Sequence, residues 1–322
     1  MKAAVVFLAS VALVYASPLA RAADYPSKPI TLMIGFAPGG PSDVMARILT
    51  KKIEEILKQP FVIENRAGAG GSIAGAAVAR AAPDGYTVLL ATGSLLAINV
   101  SLYKNIGYDP EKDFEPIGLI GTQTNVLYLN PSVPATSLAE LIAYAKANPG
   151  KMSFGSGGNG TPAHLAGELL KLEAKIDITH VPFRGTGPAL QAVIGGHVPM
   201  AFNPPSPLLP HIQSGTIRAL AITTLKRTAV LPEVPTIAES GFPGFEATTW
   251  HALVAPAGAP KDVIATLHRA TVATVNDPLV RNALTDLGID VVGGTPEELR
   301  AYVKSEIPKW AEVVRASGAK VD

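Results

Sequence analysis

The chain has 322 residues, enough for two lobes of ordinary size. Its 27 Lys and Arg are balanced by 26 Asp and Glu dispersed along the sequence, so neither nucleic acid nor an anionic membrane surface is an expected partner. The absence of cysteine excludes disulfides, thiolate catalysis and zinc–sulfur sites together.

Met1-Lys2 supplies a short basic start, residues 3–15 are apolar, and Ala20-Arg21-Ala22 is an A-x-A cleavage site. That apolar run falls short of the roughly 20 residues a membrane span needs. Residues 1–22 are therefore expected to be an export signal that is cleaved. Its removal takes away Lys2 and Arg21 and moves the net charge from +1 to −1. No later apolar run reaches spanning length without Gly, Pro or charge, so the mature protein is not expected to be membrane-embedded. Export without disulfides fits a bacterial periplasm.

Residues 30–34 read as a short buried strand followed by Gly35-Phe36-Ala37-Pro38-Gly39-Gly40. Ser42 or Asp43 is expected to cap a helix running to Lys58, with Val44, Met45, Ile48, Leu49, Ile53, Ile56 and Leu57 on one face. Residues 61–64 are the next strand, residues 66–72 a glycine turn, and an alanine-rich helix follows. After Asp84-Gly85, residues 86–91 form a strand that ends in Thr92-Gly93-Ser94. This alternation of strand, glycine turn and helix predicts a parallel sheet with crossovers.

Residues 117–129 are a long extended tract. Ser137 and Glu140 form a capping box for a helix over 138–147, which Pro149-Gly150 stops. The most informative stretch is MSFGSGGNGTPAHLAGELLKL, residues 152–172. A strand ends there in a turn almost without side chains, Thr161 is an N-cap, and Pro162 is the first helical residue. Unpaired N–H groups at a helix start, walled by glycine, make an anion cradle from main chain.

Residues 178–182 are the next strand, and Phe183-Arg184-Gly185-Thr186-Gly187-Pro188 repeats the design. Strands over 198–202 and 219–223 precede a second extended tract at 248–255. The two extended tracts bracket a self-contained α/β segment, as when a chain crosses into a second lobe and returns. Lobe one is expected to comprise residues 23–123 and 249–322, and lobe two residues 124–248. Helices over 262–276, 278–287 and 296–315 are expected to pack on lobe one, with Pro308 kinking the last.

Ligands of open parallel sheets sit beyond the carboxyl ends of the strands, where these glycine turns lie. Gly155-Ser156-Gly157-Gly158-Asn159-Gly160 also matches a dinucleotide fingerprint. Two details oppose that reading: Pro162 starts the helix only after the third glycine, and Asp177 begins the next strand instead of ending it. No Lys follows Gly160, so the Walker pattern fails. The six histidines show no H-x-x-x-H spacing, and Ser72 has Ala74 where a nucleophile elbow needs Gly. His164 can contact a ligand or lock its loop. Arg184 can grip a carboxylate or pair with a surface acid, and Asp43 is a better cap than catalyst.

In combination, several motifs resemble a known family. They are Tyr25-Pro-x-Lys28-Pro29-Ile30, Phe36-x-Pro38-Gly39-Gly40-x-x-Asp43-x-x-Ala46-Arg47 and Glu64-Asn65-Arg66-x-Gly68-Ala-Gly70-Gly71. Ala82-Pro83-Asp84-Gly85-Tyr86-Thr87, Phe154-Gly155-Ser156-x-Gly158-x-Gly160-Thr161-x-x-His164-Leu165, Pro182-Phe183-Arg184-Gly185 and Leu231-Pro232-x-Val234-Pro235-Thr236 complete the set. The chain resembles the tripartite tricarboxylate transporter substrate-binding proteins, the Bug receptors, over essentially its whole mature length.

The resemblance implies a two-lobed type II periplasmic binding fold of the α/β class. Each lobe would be a mostly parallel sheet flanked by helices, with the ligand cleft between the lobes. It implies no enzyme activity, cofactor or metal, and a monomer that binds a small di-, tri- or aromatic carboxylate. Delivery would be to large and small membrane subunits; a sensor presenting its ligand-bound form to a membrane kinase and an enzyme acting on an organic acid are the alternatives. The expected ligand-binding residues are Phe36, Pro38, Gly39, Gly40, Asp43, Thr92 and Ser94 in lobe one. In lobe two they are Ser156, Gly157, Asn159, Gly160, Thr161, His164, Phe183, Arg184, Gly185, Thr186 and Asn203. Asn203 stands where the family commonly has an Asp that reads a positive charge, which argues against an amino-acid ligand.

Overall fold

The structure is a computed structural model and describes residues 25–319; the expected export signal lies outside the described residues. The chain opens β1 (Ile30–Ile34), α1 (Pro41–Leu57), β2 (Phe61–Asn65), α2 (Ser72–Ala79) and β3 (Thr87–Thr92). A π turn at Ser94–Ile98 leads into α3 (Asn99–Leu102) and the long β4 (Phe114–Gln123). The next segment is β5 (Val126–Leu129), α4 (Leu138–Ala147), β6 (Met152–Ser156), α5 (Pro162–Ala174), β7 (Ile178–Pro182) and α6 (Thr186–Ile194). It ends with β8 (Met200–Asn203), α7 (Leu209–Gln213) and β9 (Arg218–Ile222). The chain returns along β10 (Thr249–Pro256) to α8 (Lys261–Asn276), α9 (Pro278–Asp286), β11 (Ile289–Gly294) and α10 (Pro296–Ser317).

Two sheets result, one per lobe: β11-β4-β10-β3-β1-β2 and β7-β6-β8-β5-β9. Both are mixed, not mostly parallel as expected. β1 pairs in parallel with β2 and β3, and β6 with β7 and β8, whereas the remaining pairings are antiparallel. The crossing explains this. β10 brings the chain back from lobe two, so it runs opposite to β4 and β3, between which it inserts. The crossings meet at a threonine cluster. Asn125 N donates to Thr223 Oγ1 at 2.9 Å, Thr223 N donates to Thr124 Oγ1 at 3.2 Å, and Ala247 N donates to Thr223 O at 2.9 Å.

Local sequence explains most elements, with instructive departures. α1 begins at Pro41, with Gly40 as its N-cap, so neither Ser42 nor Asp43 caps it. Its buried stripe runs through Met45, Ala46, Leu49 and Ile53, and Val44 and Ile56 face solvent, a rotation that puts the small Ala46 against the sheet. Ser137 caps α4, but the Glu140 carboxylate accepts from Thr136 N at 2.7 Å, so the expected capping box is only half formed. β11 was not expected, because its run of Ile289-Asp290-Val291-Val292 is short and half exposed on an edge.

α10 runs unbroken through Pro308 and packs on both lobes, against β4 and against α5. Trp310 shares one buried cluster with Leu89 of lobe one and Leu165 of lobe two. Beside it, the buried Glu306 carboxylate accepts from Trp310 Nε1 at 2.7 Å, Trp250 Nε1 at 3.3 Å and Lys309 Nζ at 2.6 Å. Trp250 lies on the returning strand, so this carboxylate ties the last helix to the crossing. Replacing Glu306 with Ala leaves two buried indole N–H groups without an acceptor. In urea unfolding the Glu306→Ala variant loses about 2–3 kcal/mol, and Glu306→Gln, which keeps an acceptor, loses less.

Candidate functional site

The cradle of lobe two forms where β6 hands over to α5. Thr161 is the N-cap: its Oγ1 accepts from His164 N at 3.3 Å and donates to Gly158 O at 2.8 Å. Gly160 takes a φ of +73°, which favours glycine, and its N–H donates to His164 Nδ1 at 3.0 Å. Gly158 N donates to Ser156 Oγ at 3.2 Å, and Thr161 N to Gly158 O at 3.4 Å. Most of the loop's amides are thus held internally, not left unpaired as the sequence suggests. The N–H groups of Asn159 and Ala163 have no protein partner among the described residues.

Of the two roles open to His164, the geometry shows the lock. Because Nδ1 accepts from Gly160, the ring carries its proton on Nε2, which lies 3.7 Å from Glu168 Oε1. The ring stacks on His180 with centroids 3.8 Å apart, and His180 Nε2 sits 2.7 Å from Ser156 Oγ. Burial pushes the pKa of His164 down to about 4; burial, and then the neighbouring His164, pushes that of His180 down to about 3. Both rings are neutral at pH 7, so this pair adds no cation at the start of α5.

Lobe one presents a matching loop. Asp43, in the first turn of α1, is 2% exposed. Its carboxylate accepts from Gly39 N at 3.0 Å, Arg47 Nε at 2.9 Å and Asn65 Nδ2 at 3.1 Å. Asn65 Nδ2 also donates to Phe36 O at 3.0 Å. The Arg47 hydrogen bond first, and the Gly39 N–H second, hold Asp43 down to about 2, so it stays ionised and fixes the loop. The N–H groups of Ser42 and Asp43 at the start of α1 have no protein partner among the described residues.

The starts of α1 and α5 border one cleft of about 310 Å³ that draws on both lobes and on the crossing strands. The pockets beside α1, α8 and α10 are each walled by lobe-one segments alone. Of the sequence-predicted residues, Phe36, Thr92, Ser94, Asn159, Gly160 and Thr161 line the shared cleft. Pro38, Gly39 and Gly40, in the loop before α1, and Asp43, in its first turn, stand beside the cleft and do not line it. Ser156, Gly157 and His164 support the cradle from behind. Phe183, Arg184, Gly185 and Thr186 form the adjoining loop, tied to the cradle by Phe183 N to Ser156 O at 3.0 Å and Gly185 N to Gly157 O at 3.1 Å. Arg184 is exposed and forms no ion pair among the described residues. Asn203 is fully buried; its Nδ2 donates to Thr186 O and Tyr128 OH, each at 3.0 Å, and so it holds this loop.

Residues not anticipated also line the cleft: Pro41, Ser42, Gly70, Asn99, Leu102, Tyr103, Gln123, Pro162, Thr249 and His251. Thr249 and His251 follow the two-residue period of β10, a signal readable once the strand is known to border the site. Gly70, at φ +60°, lies against Asn99: an added Cβ would stand 3.0 Å from Asn99 Nδ2. No Lys, Arg, Asp or Glu lines the cleft. Among the described residues, no three His, Asp or Glu side chains group as a metal needs, and no helix is long and apolar enough to cross a membrane.

The neutral histidines set a pH dependence. Between pH 6.5 and about 4 the unfolded chain binds protons that the folded His164 and His180 refuse, so stability is full above that window and falls as pH drops through it. The unfolding midpoint of the wild type is expected to fall across the window. His164→Gln, with one fewer such group, shows a shallower fall in the same scan.

Comparison with known proteins agrees with this architecture. Residues 45–319 match the model of the tripartite tricarboxylate transporter family receptor. The chain is 41% identical over 298 residues to Protein BugT of Bordetella pertussis, covering 92% of this chain and 91% of that protein. A structure of Rpa4515 from R. palustris with adipate superposes with a TM-score of 0.77 at 36% identity, covering 92% of this chain and 99% of that one. MatC of Rhodopseudomonas palustris with bound malate gives 0.74 at 35% identity, covering 90% and 100%. The match across nearly the whole fold, by sequence and by structure, places this chain in the tripartite tricarboxylate transporter receptor family, a family of solute-binding receptors.

Proposed function

We propose that this chain is a periplasmic receptor that captures a small carboxylate between its two lobes and delivers it to the large and small membrane subunits of a tripartite tricarboxylate transporter. One observation carries the reading: the shared cleft is bordered by two helix starts and contains no charged side chain. Helix N-termini attract anions, each by about 0.3–1 kcal/mol and up to about 2 when partly buried. Hydrogen bonds from the cleft-lining N–H groups of Ser42 and Asn159 to an ionised oxygen are each worth about 1.5–3 kcal/mol. At the upper end of these ranges the two helix starts and the two hydrogen bonds reach the roughly 8 kcal/mol of a micromolar site. Two relatives hold adipate and malate, which supports the carboxylate class.

Residues 1–22 direct export and are removed; residues 23–123 and 249–322 form one lobe and 124–248 the other, joined at the threonine cluster. The unliganded receptor opens and closes about these crossings, and a ligand favours closure because both lobes contact it. Closure carries the Phe183–Thr186 loop, with its exposed Arg184, toward the ligand. The receptor works as a monomer.

Asn159 is exposed at the cleft and lies outside the core, so its charge can be changed without disturbing packing. Titration calorimetry with adipate and malate tests the anion reading. Asn159→Asp weakens binding about 5–50-fold, and Asn159→Lys binds as tightly as wild type or more so. Equal affinities for both variants, or the reverse order, contradict it.

A further inference from the structure

His251 lies on β10 between Thr92 of β3 and Gly121 of β4. The strand's alternation turns Trp250 toward Glu306 and leaves Thr249 and His251 on the cleft wall. His251 is 4% exposed, and its enclosed Nδ1 has no hydrogen-bond partner among the described residues. Four enclosed polar side-chain atoms lack a partner among the described residues: Asn125 Nδ2, Asn203 Oδ1, Thr274 Oγ1 and His251 Nδ1. Only the last belongs to a residue that lines the cleft.

A buried polar group without a partner is costly, and native structures rarely keep one without a reason. Three neighbouring cleft side chains, those of Asn99, Gln123 and Thr92, are already engaged. Asn99 Nδ2 donates to Gly70 O and to Ser72 Oγ, each at 3.0 Å, and Gln123 Nε2 donates to Leu287 O at 2.7 Å. Thr92 Oγ1 accepts from Leu95 N at 3.4 Å. Burial pushes the imidazole's pKa down to about 4, so the ring offers one N–H donor and one acceptor at pH 7. Such a ring matches an oxygen-bearing group and does not demand a second full charge.

We propose that His251 determines specificity within the cleft: its imidazole hydrogen-bonds the second oxygen-bearing group of a bifunctional acid whose first carboxylate lies on the amides of α1 and α5. This rests on the carboxylate-receptor reading above. A monoacid of the same length leaves the imidazole unpartnered and binds more weakly, because the site then loses the hydrogen bond while the ring stays buried.

The test pairs succinate with butyrate and adipate with hexanoate in titration calorimetry. Wild type prefers the diacid of at least one pair by about 10–100-fold. His251→Phe, which fills the space without a donor or acceptor, narrows that preference to within about threefold while monoacid affinity changes by less than about threefold. His251→Gln restores most of the preference. As a readout that needs no variant, the ring nitrogen resonances of His251 in uniformly ¹⁵N-labelled wild type shift on adding the diacid and hold still on adding the monoacid. A preserved preference in a folded His251→Phe variant, or ring resonances unmoved by a diacid that binds, overturns the assignment and leaves the receptor reading standing. Wild type that binds none of the four acids overturns the assignment, and the receptor reading falls with it when malate, citrate and aromatic carboxylates also fail to bind.

Discussion

The molecule depends on peptide N–H groups held in place at the starts of two helices, α1 and α5. Each helix begins with proline at its first position, which sets the backbone and removes a donor that would face no partner. Each is then fixed by a side chain four residues on that reaches back to a glycine amide: Asp43 to Gly39, and His164 to Gly160. The two lobes use the same geometry with different chemistry. Asp43 adds a negative charge beside α1, offset by Arg47, whereas His164 at the start of α5 is neutral.

Such a site works only if the loops are rigid before the ligand arrives, since oriented amides lose their value when they must reorganise. The interior is built accordingly. The His164–His180 stack backs the cradle, Asn203 holds the adjoining loop through Thr186 O, and Asn65 binds both the carboxylate of Asp43 and Phe36 O. The lobes are joined at the crossings, where Thr124, Asn125 and Thr223 exchange hydrogen bonds. α10 spans the same junction, with Glu306 joining Trp310 to Trp250.

Much of this was legible locally. β1 and β7 have the bounds that the sequence suggests, and Thr161-Pro162 caps and starts α5 as its residue types require. The glycine turns marked the right ends of the sheets because few other residues tolerate their backbone. What was not legible depends on long-range register. His251 and Thr249 reach the cleft only because β10 inserts between β3 and β4, and Gln123 only because β4 ends at the crossing. The π turn at Ser94–Ile98 and the short α3 carry no apolar period long enough to announce a helix, yet they bring Asn99 and Tyr103 to the site. Asn203 could be read as a substitution but not as a buried tie, because its partners lie 17 and 75 residues away.

A crystal structure of the complex with the tightest-binding acid tests the central claim most directly. The account places one ligand carboxylate within about 3 Å of peptide nitrogens at the starts of both α1 and α5, with no lysine or arginine needed to hold it. A carboxylate bound elsewhere, or held chiefly by cationic side chains with those amides unengaged, contradicts it.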